Sequence, residues 1–328
     1  MGQLILTVTR ACNLRCSYCP TAKSGWPALD VDQALRALRL FVDRWGGGEV
    51  KLFGGEPLLE PKVVRAVMDA AAREPAIRRV YLSTNGLGLD ADWLGYLRSH
   101  PKAVLTISLD GRPDDHRRHR RALPQVADAY DHVLALLPAL LATPRVVVTQ
   151  TIAPSVAAHA YDNFAHLLGL GFWRFNLLPG YYLPWSETQR AALRAGFDAI
   201  AHEVTRRWRG GERLYLRNLF TWAPTPFFNG GLVVDADGSI HPTNLGLSGA
   251  LEELLAETRA GTLDDPPSPE ALAQKAEAVN ELLARALPPR VWESTLAVDA
   301  ELSRFCRGLY PAYLAERERR REAKRGAA

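Results

Sequence analysis

The sequence predicts an α/β fold, a partial (β/α)6 TIM-like barrel with a small mixed α+β C-terminal extension. Six short apolar runs ending in chemically special residues alternate with stretches of helical apolar spacing through the first two thirds of the 328 residues. The length suits one large domain plus an extension, because α/β barrels commonly run to roughly 200–250 residues. The texture then changes near residue 225, which divides the chain into a barrel at 1–225 and an extension at 226–328.

Strand one is expected at residues 3–9, where an apolar run leads into three cysteines. The second, 49–53, ends in Gly54-Gly55; the third, 79–83, precedes Thr84-Asn85-Gly86; the fourth, 103–109, precedes Asp110-Gly111. The fifth and sixth are 145–152 and 172–178. Between them, residues 31–45, 61–73, 91–99, 125–141 and 157–168 have the spacing of amphipathic helices, and a further helix at 186–207 follows strand six. Parallel strands need such crossovers, which are right-handed in nearly all proteins, so six units curl into a barrel arc. In the extension, two short apolar runs flank Asp237-Gly238, a strong hairpin signal over residues 233–242. A helix at 250–258, a proline-rich link at 264–269, helical stretches at 270–286 and from 300, and a charged tail complete the chain.

Hydrophobic residues make up 47% of the chain and charged residues 23%, a globular composition that excludes disorder and collagen. Of the net charge of +4, residues 316–325 hold six basic and three acidic side chains, so the body is nearly neutral and no broad grip on nucleic acid is expected. The longest strongly apolar stretch, about ten residues at 133–142, falls short of the roughly 20 needed to cross a bilayer. With no signal-peptide pattern at residues 1–10, a cytoplasmic protein without membrane attachment is expected. Four cysteines, three of them within eight residues, form no disulfide framework and point to metal or cluster chemistry.

Cys12, Cys16 and Cys19 are spaced CxxxCxxC in the loop after strand one, at the end of a parallel barrel where active sites sit. Soft sulfur ligands suit zinc or an iron–sulfur cluster. A closed structural zinc site wants a fourth protein ligand, and neither His nor Cys stands nearby to give one. A [4Fe–4S] cluster with one open iron fits three cysteines. At the end of strand two, Gly54 and Gly55 let a ligand approach the backbone, and the Glu56 carboxylate is suited to accept from an ammonium group. Strands three and four leave Ser83, Asn85, Ser108 and Asp110 at the same rim.

With Tyr18 just before the last cysteine, these motifs resemble the radical SAM superfamily: CxxxCxxC, then Gly54-Gly55-Glu56-Pro57, Thr84-Asn85-Gly86 and Ser108-Leu109-Asp110-Gly111. The resemblance implies that the three cysteines hold three irons of a [4Fe–4S] cluster and that S-adenosylmethionine (SAM) chelates the fourth. It implies that Glu56 meets the SAM ammonium, and that Ser108 and Asp110 meet ribose hydroxyls or the methionine carboxylate. Asp110, Gly111, His116 and Arg120 fit the D-G-x-x-x-x-H-x-x-x-R segment of peptide-modifying members, where Arg120 is expected to pair with the SAM carboxylate. On strands five and six, Gln150 or Thr151 and the turn beginning at Leu177 occupy the adenine positions.

The implied activity is reductive cleavage of SAM to a 5′-deoxyadenosyl radical with an electron from a flavodoxin- or ferredoxin-like donor, followed by hydrogen abstraction. A peptide undergoing modification in natural product biosynthesis is the first substrate expectation, and a small metabolite such as a sugar or antibiotic intermediate the alternative. The chain departs from the SPASM/twitch members of that branch: Thr243 and Asn244 stand where a cysteine is expected, so a single cluster is predicted. The remaining thiol, Cys306, is a candidate hydrogen-atom donor. Aromatic residues crowd 172–228, and the loop 179–185 leaves strand six at the active rim. His241 reads as a surface or hydrogen-bonded residue. A reading from another class is a zinc-stabilised, non-catalytic binding protein on the same fold.

Overall fold

The apolar runs form strands whose order in the sheet follows their order in the chain. A computed structural model describes residues 2–21, 23, 25, 27–221, 231–244 and 254–326. Its strands are Gly2–Thr9 (β1), Leu14–Cys16 (β2), Gly48–Gly54 (β3), Ile77–Thr84 (β4), Ala103–Ser108 (β5), Arg120–Ala122 (β6), Val146–Ile152 (β7), Arg174–Pro179 (β8), Tyr215–Leu216 (β9), Leu232–Val234 (β10), Ser239–His241 (β11) and Gly261–Thr262 (β12). The main sheet runs β12-β11-β10-β1-β3-β4-β5-β7-β8-β9, with every pair from β10 to β9 parallel. Strands β1, β3, β4, β5, β7 and β8 are the six expected units. Each is added on the same side of the last, so the sheet has no point of reversal and curls into a partial TIM-like barrel.

Helices Val31–Trp45, Pro61–Arg73 and Ala91–Ser99 form where the apolar spacing places them. The first opens on a capping box, in which Asp30 Oδ1 accepts from Gln33 N (2.7 Å) while Gln33 Oε1 accepts from Asp30 N (3.0 Å). It buries Ala34, Ala37, Leu38 and Phe41 against the sheet, and a fully buried Phe is worth about 1.5–3 kcal/mol. The expected helix at 125–141 is two helices, Ala129–Ala135 and Leu137–Ala142. Pro138, which lacks an amide N–H, is tolerated in the first turn of the second and breaks a continuous run. Residues 157–168 begin as a 3₁₀ turn, Pro154–His159, and continue as Ala160–Gly169.

Strand β10 lies parallel to β1, with Leu4 opposite Leu232, so the expected hairpin β10–β11 continues the barrel sheet directly. Its link to the barrel is electrostatic as well: buried Arg10 is paired with Asp235. The expected helix at 250–258 is described as Leu255–Thr258; its earlier residues, with Trp222, Phe227 and Phe228, lie outside the described residues. The last helix starts earlier than expected, at Pro289, and runs to Gly326 along helix Glu187–Arg209. Phe197 stacks on Phe305 at 4.9 Å and Arg304 pairs with Asp198 at 2.8 Å. Among the described residues no helix is long and apolar enough to cross a membrane.

Alternation along the strands sorts their two faces. Val50 and Leu52 of β3 and Phe175 and Leu177 of β8 are buried beneath the helices. The opposite positions, Glu49, Lys51 and Phe53 on β3, Tyr81 and Ser83 on β4, and Arg174, Asn176 and Leu178 on β8, face the barrel interior and are partly accessible.

Candidate active site

A cavity of about 180 Å³ opens at the C-terminal ends of the barrel strands, well beyond the space of a few waters. Its wall includes Cys12, Cys16 and Cys19, with Tyr18, Gly54, Gly55, Glu56, Ser83, Asn85, Ser108 and Arg120. The cysteine loop is held by a two-stranded ribbon: β2 pairs with β6 so that Cys16 stands opposite Arg120. Ser17 N donates to the His119 carbonyl (2.9 Å), and the Ser17 hydroxyl and His119 Nδ1 meet at 2.7 Å. The Cys12 sulfur accepts from Leu14 N (3.4 Å) and Asn85 Nδ2 (3.9 Å).

Gly54 and Gly55 serve this loop. A Cβ on Gly54, whose φ is 137°, would lie 2.2 Å from the Thr9 carbonyl oxygen, and one on Gly55 would lie 2.1 Å from that of Ala11. Backbone cannot yield as a side-chain tip can, so only glycine lets β3 approach the cysteine loop this closely. Glu56 is buried, with three donors: Thr84 Oγ1 (2.7 Å) and Leu58 N (3.1 Å) on one oxygen and Asn85 N (2.7 Å) on the other. It ties β3 to β4, and four lone-pair sites leave room for a further donor from the cavity. Burial pushes its carboxyl up, with the Asn85 N–H opposing.

Asp110 does not line the cavity; it organises residues that do. Its Oδ2 accepts from Tyr18 Oη (2.5 Å) and Arg120 Nε (2.9 Å), and its Oδ1 accepts from Arg120 Nη2 (3.0 Å) and Thr151 N (3.0 Å). Burial alone would raise this carboxyl, and the Arg120 charge overrides it, holding Asp110 below the usual carboxylate range. Arg120 lies with its guanidinium carbon 5.4 Å from the Tyr18 ring centroid. Its Nη1 makes no hydrogen bond among the described residues, so one edge of a buried guanidinium remains for a carboxylate in the cavity. His116 accepts from Asp110 N at Nδ1 (3.3 Å) and sits behind the wall.

Three more expected residues lie elsewhere. Leu177 faces the helices, bonded through its backbone to the Asn218 side chain, and Leu178 lines the cavity with Pro179 and Gly180. On β7, likewise, Gln150 turns outward to donate to the Ala160 carbonyl while Thr151 lines the wall. Cys306 is outside the cavity wall, packed on the core, with its thiol pushed up to about 12 by burial and by Asp299.

The cavity also includes Lys23, which carried no motif, Tyr181 and Tyr182 of the loop 179–185, and Asn244, which stands where a cysteine is expected. The C-terminal helix pins their rim: Tyr181 Oη donates to Asp299 (2.9 Å), Tyr182 N to Thr295 Oγ1 (2.9 Å) and Trp185 N to Ser294 Oγ (3.0 Å). His241 is buried, bonded to Ser239 Oγ (2.8 Å) and Thr258 Oγ1 (3.1 Å).

The donor set fits an iron–sulfur cluster. Burial pushes the Cys12 thiol up and the Cys16 thiol to about 11, so thiolates would form as metal binds and displaces protons. Among the described residues no three His, Cys, Asp or Glu groups are arranged to hold a single metal ion, whereas a cubane spreads its irons over separate corners.

Comparison with known proteins agrees with this geometry. Residues 6–147 match the model of the radical SAM superfamily. The chain is 42% identical over 138 residues to the GTP 3′,8-cyclase of Streptomyces coelicolor, covering 38% of this chain and 40% of that one. It is 33% identical over 148 residues to the GTP 3′,8-cyclase of Chlorobaculum tepidum, covering 44% and 42%. The match thus spans less than half the length of either relative. In three dimensions, anSMEcpe solved with AdoMet and the Cp18Cys peptide superposes with a TM-score of 0.71, covering 97% of this chain and 100% of that one at 16% identity.

Proposed function

We propose that the chain, whose residues 6–147 match the radical SAM superfamily, cleaves SAM reductively at one [4Fe–4S] cluster to begin hydrogen abstraction from a small-molecule substrate. The observation that carries the reading is the single cavity wall shared by three thiols, the Gly54-Gly55-Glu56 turn and a partly unengaged Arg120. Cys12, Cys16 and Cys19 ligate iron, Glu56 accepts the SAM ammonium, and the Nη1 edge of Arg120 receives its carboxylate. When bound, cluster and SAM supply a 5′-deoxyadenosyl radical at the cost of one electron, chemistry that belongs to the cofactor. The protein positions it and excludes water: Asp110 holds Arg120 and Tyr18, and the tyrosine rim at Tyr181 and Tyr182 covers the cavity.

A single cluster follows from composition, since beyond the three loop cysteines only Cys306 remains, too few for a second four-iron site. The electron comes from a flavodoxin- or ferredoxin-like donor, and four free thiols suit a reducing cytoplasm. The small-molecule class is supported by relatives named for cyclisation of GTP. A peptide remains the second reading, supported by the neighbour solved with a bound peptide.

The test is anaerobic reconstitution followed by SAM and dithionite, with 5′-deoxyadenosine as the readout and Cys16→Ala as control. Its formation by the intact chain alone supports the proposal. A chain that takes up zinc but no iron or sulfide refutes it in favour of a binding protein.

A further inference from the structure

The segments that frame the three thiols are cationic and lack counter-charge of their own. Residues 10–25 and 116–127 together hold seven Lys and Arg and no Asp or Glu, in a chain whose body is nearly neutral. Three of the seven are paired with acids from elsewhere: Arg10 with Asp235, Arg117 with Asp128 and Asp131, and Arg120 with Asp110. Among the described residues the other four, Arg15, Lys23, Arg118 and Arg121, have no carboxylate partner.

The β2–β6 ribbon sorts these cations by alternation. Cys16 and Arg120 stand opposite each other and line the cavity, so their neighbours Arg15 and Arg121, also opposite each other, turn to the outer face and are exposed. Like charges directly opposite in an antiparallel pair, with Cβ atoms roughly 4.5–5.5 Å apart, weaken it. A second approach of like charge lies beside the first: Arg15 Nη1 and Lys23 Nζ both donate to the Leu14 carbonyl oxygen, each at 3.1 Å. Arg118 is exposed just before the ribbon. Together with Arg121 it bears on His119, whose imidazole is held below its ordinary value chiefly by burial, against the pull of Asp110 and Asp115. The face is also a fixed one, because His119 Nε2 meets Ser155 Oγ at 3.0 Å and ties the ribbon to the barrel. The ribbon's own pairing is weakened by this arrangement, so its use lies with something that brings negative charge.

We infer that the outer face of the ribbon, Arg15 and Arg121 with Arg118 beside them, docks an acidic protein that carries single electrons. Charge complementarity names an anionic partner, and position names the carrier. Cys16 lies on the other side of the same strand, so one layer of backbone separates a partner on this face from the Cys16 sulfur. The cavity side of that thiol is taken by SAM and substrate under the radical SAM reading above, on which the carrier's role rests; the charge of the face stands on the ribbon alone. Docked in its reduced form, the carrier gives up one electron to the cluster site and leaves oxidised, and no bond in this chain is made or broken. Attraction between the two surfaces speeds encounter and fades with salt.

The test uses the cluster-loaded full chain and an acidic flavodoxin. Binding is followed by calorimetry at several salt concentrations, and SAM cleavage is driven in parallel by reduced flavodoxin and by dithionite. Saturable binding that falls steeply with salt is expected. The decisive variant is Arg121→Glu, which sets a carboxylate opposite Arg15 and so reverses one charge of the face while the ribbon keeps its pairing. It is expected to weaken flavodoxin binding at least about tenfold and to slow flavodoxin-driven 5′-deoxyadenosine formation in proportion, with the dithionite-driven rate and the iron content within about twofold of wild type. Arg118→Glu is expected to add a further loss, and Arg321→Glu, in the exposed tail, to change nothing.

The inference is overturned if flavodoxin does not bind, if Arg121→Glu leaves binding unchanged or slows both reductants equally, or if Arg321→Glu costs as much. A single-stranded oligonucleotide that binds this face and displaces flavodoxin assigns it to nucleic acid and overturns the inference as well. Formation of 5′-deoxyadenosine with dithionite in a chain that does not bind flavodoxin removes the docking surface and leaves the radical SAM reading intact. Salt-sensitive flavodoxin binding by a chain that forms no 5′-deoxyadenosine with either reductant removes that reading and the carrier's role with it, and leaves only an acidic-protein surface.

Discussion

Replacing Asp110 by Asn removes one charge and almost no volume, and the structure sets its cost. Four donors converge on that carboxylate: Arg120 Nη2 and Thr151 N on Oδ1, and Arg120 Nε and Tyr18 Oη on Oδ2. An amide keeps one acceptor oxygen, so its NH2 must face one of these pairs. Turned toward Oδ2, it lets the tyrosine hydroxyl rotate and accept but leaves Arg120 Nε without a partner; turned the other way, it strands Nη2 and Thr151 N. Each orphaned buried donor costs about 1–3 kcal/mol, and removing one member of a buried ion pair about 3–5 kcal/mol in all. We therefore expect Asp110→Asn to destabilise the chain by about 3 kcal/mol, read as a lower urea midpoint at unchanged m-value. SAM affinity of the cluster-loaded protein should fall at least tenfold, because Arg120 no longer has a fixed orientation, while iron content stays within a third of wild type. A loss below about 1 kcal/mol with unchanged SAM affinity would refute the view of Asp110 as the residue that orients Arg120.

Gly55→Ala should empty the metal site, because the new methyl meets the Ala11 carbonyl oxygen at 2.1 Å and displaces the cysteine loop; iron and sulfide content after reconstitution measures it. His116 is buried neutral, its pKa lowered to about 4 by burial. The unfolded chain therefore binds the extra proton between about pH 6.5 and 4, so stability is full above 6.5 and falls through that window by about 3 kcal/mol at most, a slope that His116→Gln should remove from urea titrations. Cys306, raised to about 12, is mostly protonated at pH 8, so its alkylation should lag a free thiol by at least about a hundredfold, and Cys306→Ala should leave 5′-deoxyadenosine formation unchanged.

The barrel strands and most of their crossovers were readable because each carries its own periodicity; Val31–Trp45, Pro61–Arg73 and Ala91–Ser99 are local patterns with local consequences. The β2–β6 ribbon was not, since three residues of each strand pair across about a hundred positions and neither has an alternating pattern of its own. The choice between Leu177 and Leu178 was also hidden. Both are leucines, so the sequence has no polar partner to mark the phase, and only the register with β7 sets it. Asp110 was singled out as a ligand contact, whereas its four bonds depend on Arg120, Tyr18 and Thr151, which no spacing rule brings together. The contact of Arg217 with the Tyr81 ring was invisible for the same reason, since the two meet only once the barrel has closed.

The parallel pairing of β10 with β1 has a temporal consequence. Strand β1 keeps one edge open until residues 232–234 have been made, and the Arg10–Asp235 pair beside the cysteine loop must wait equally long. At 5–20 residues per second that interval is roughly 10–45 s, during which β1 is an apolar edge able to pair with other chains. The loop that would carry iron is thus synthesised well before the strand and the ion pair that fix it. Cluster delivery to a nascent chain would meet three cysteines on an unfinished support, which favours insertion after release.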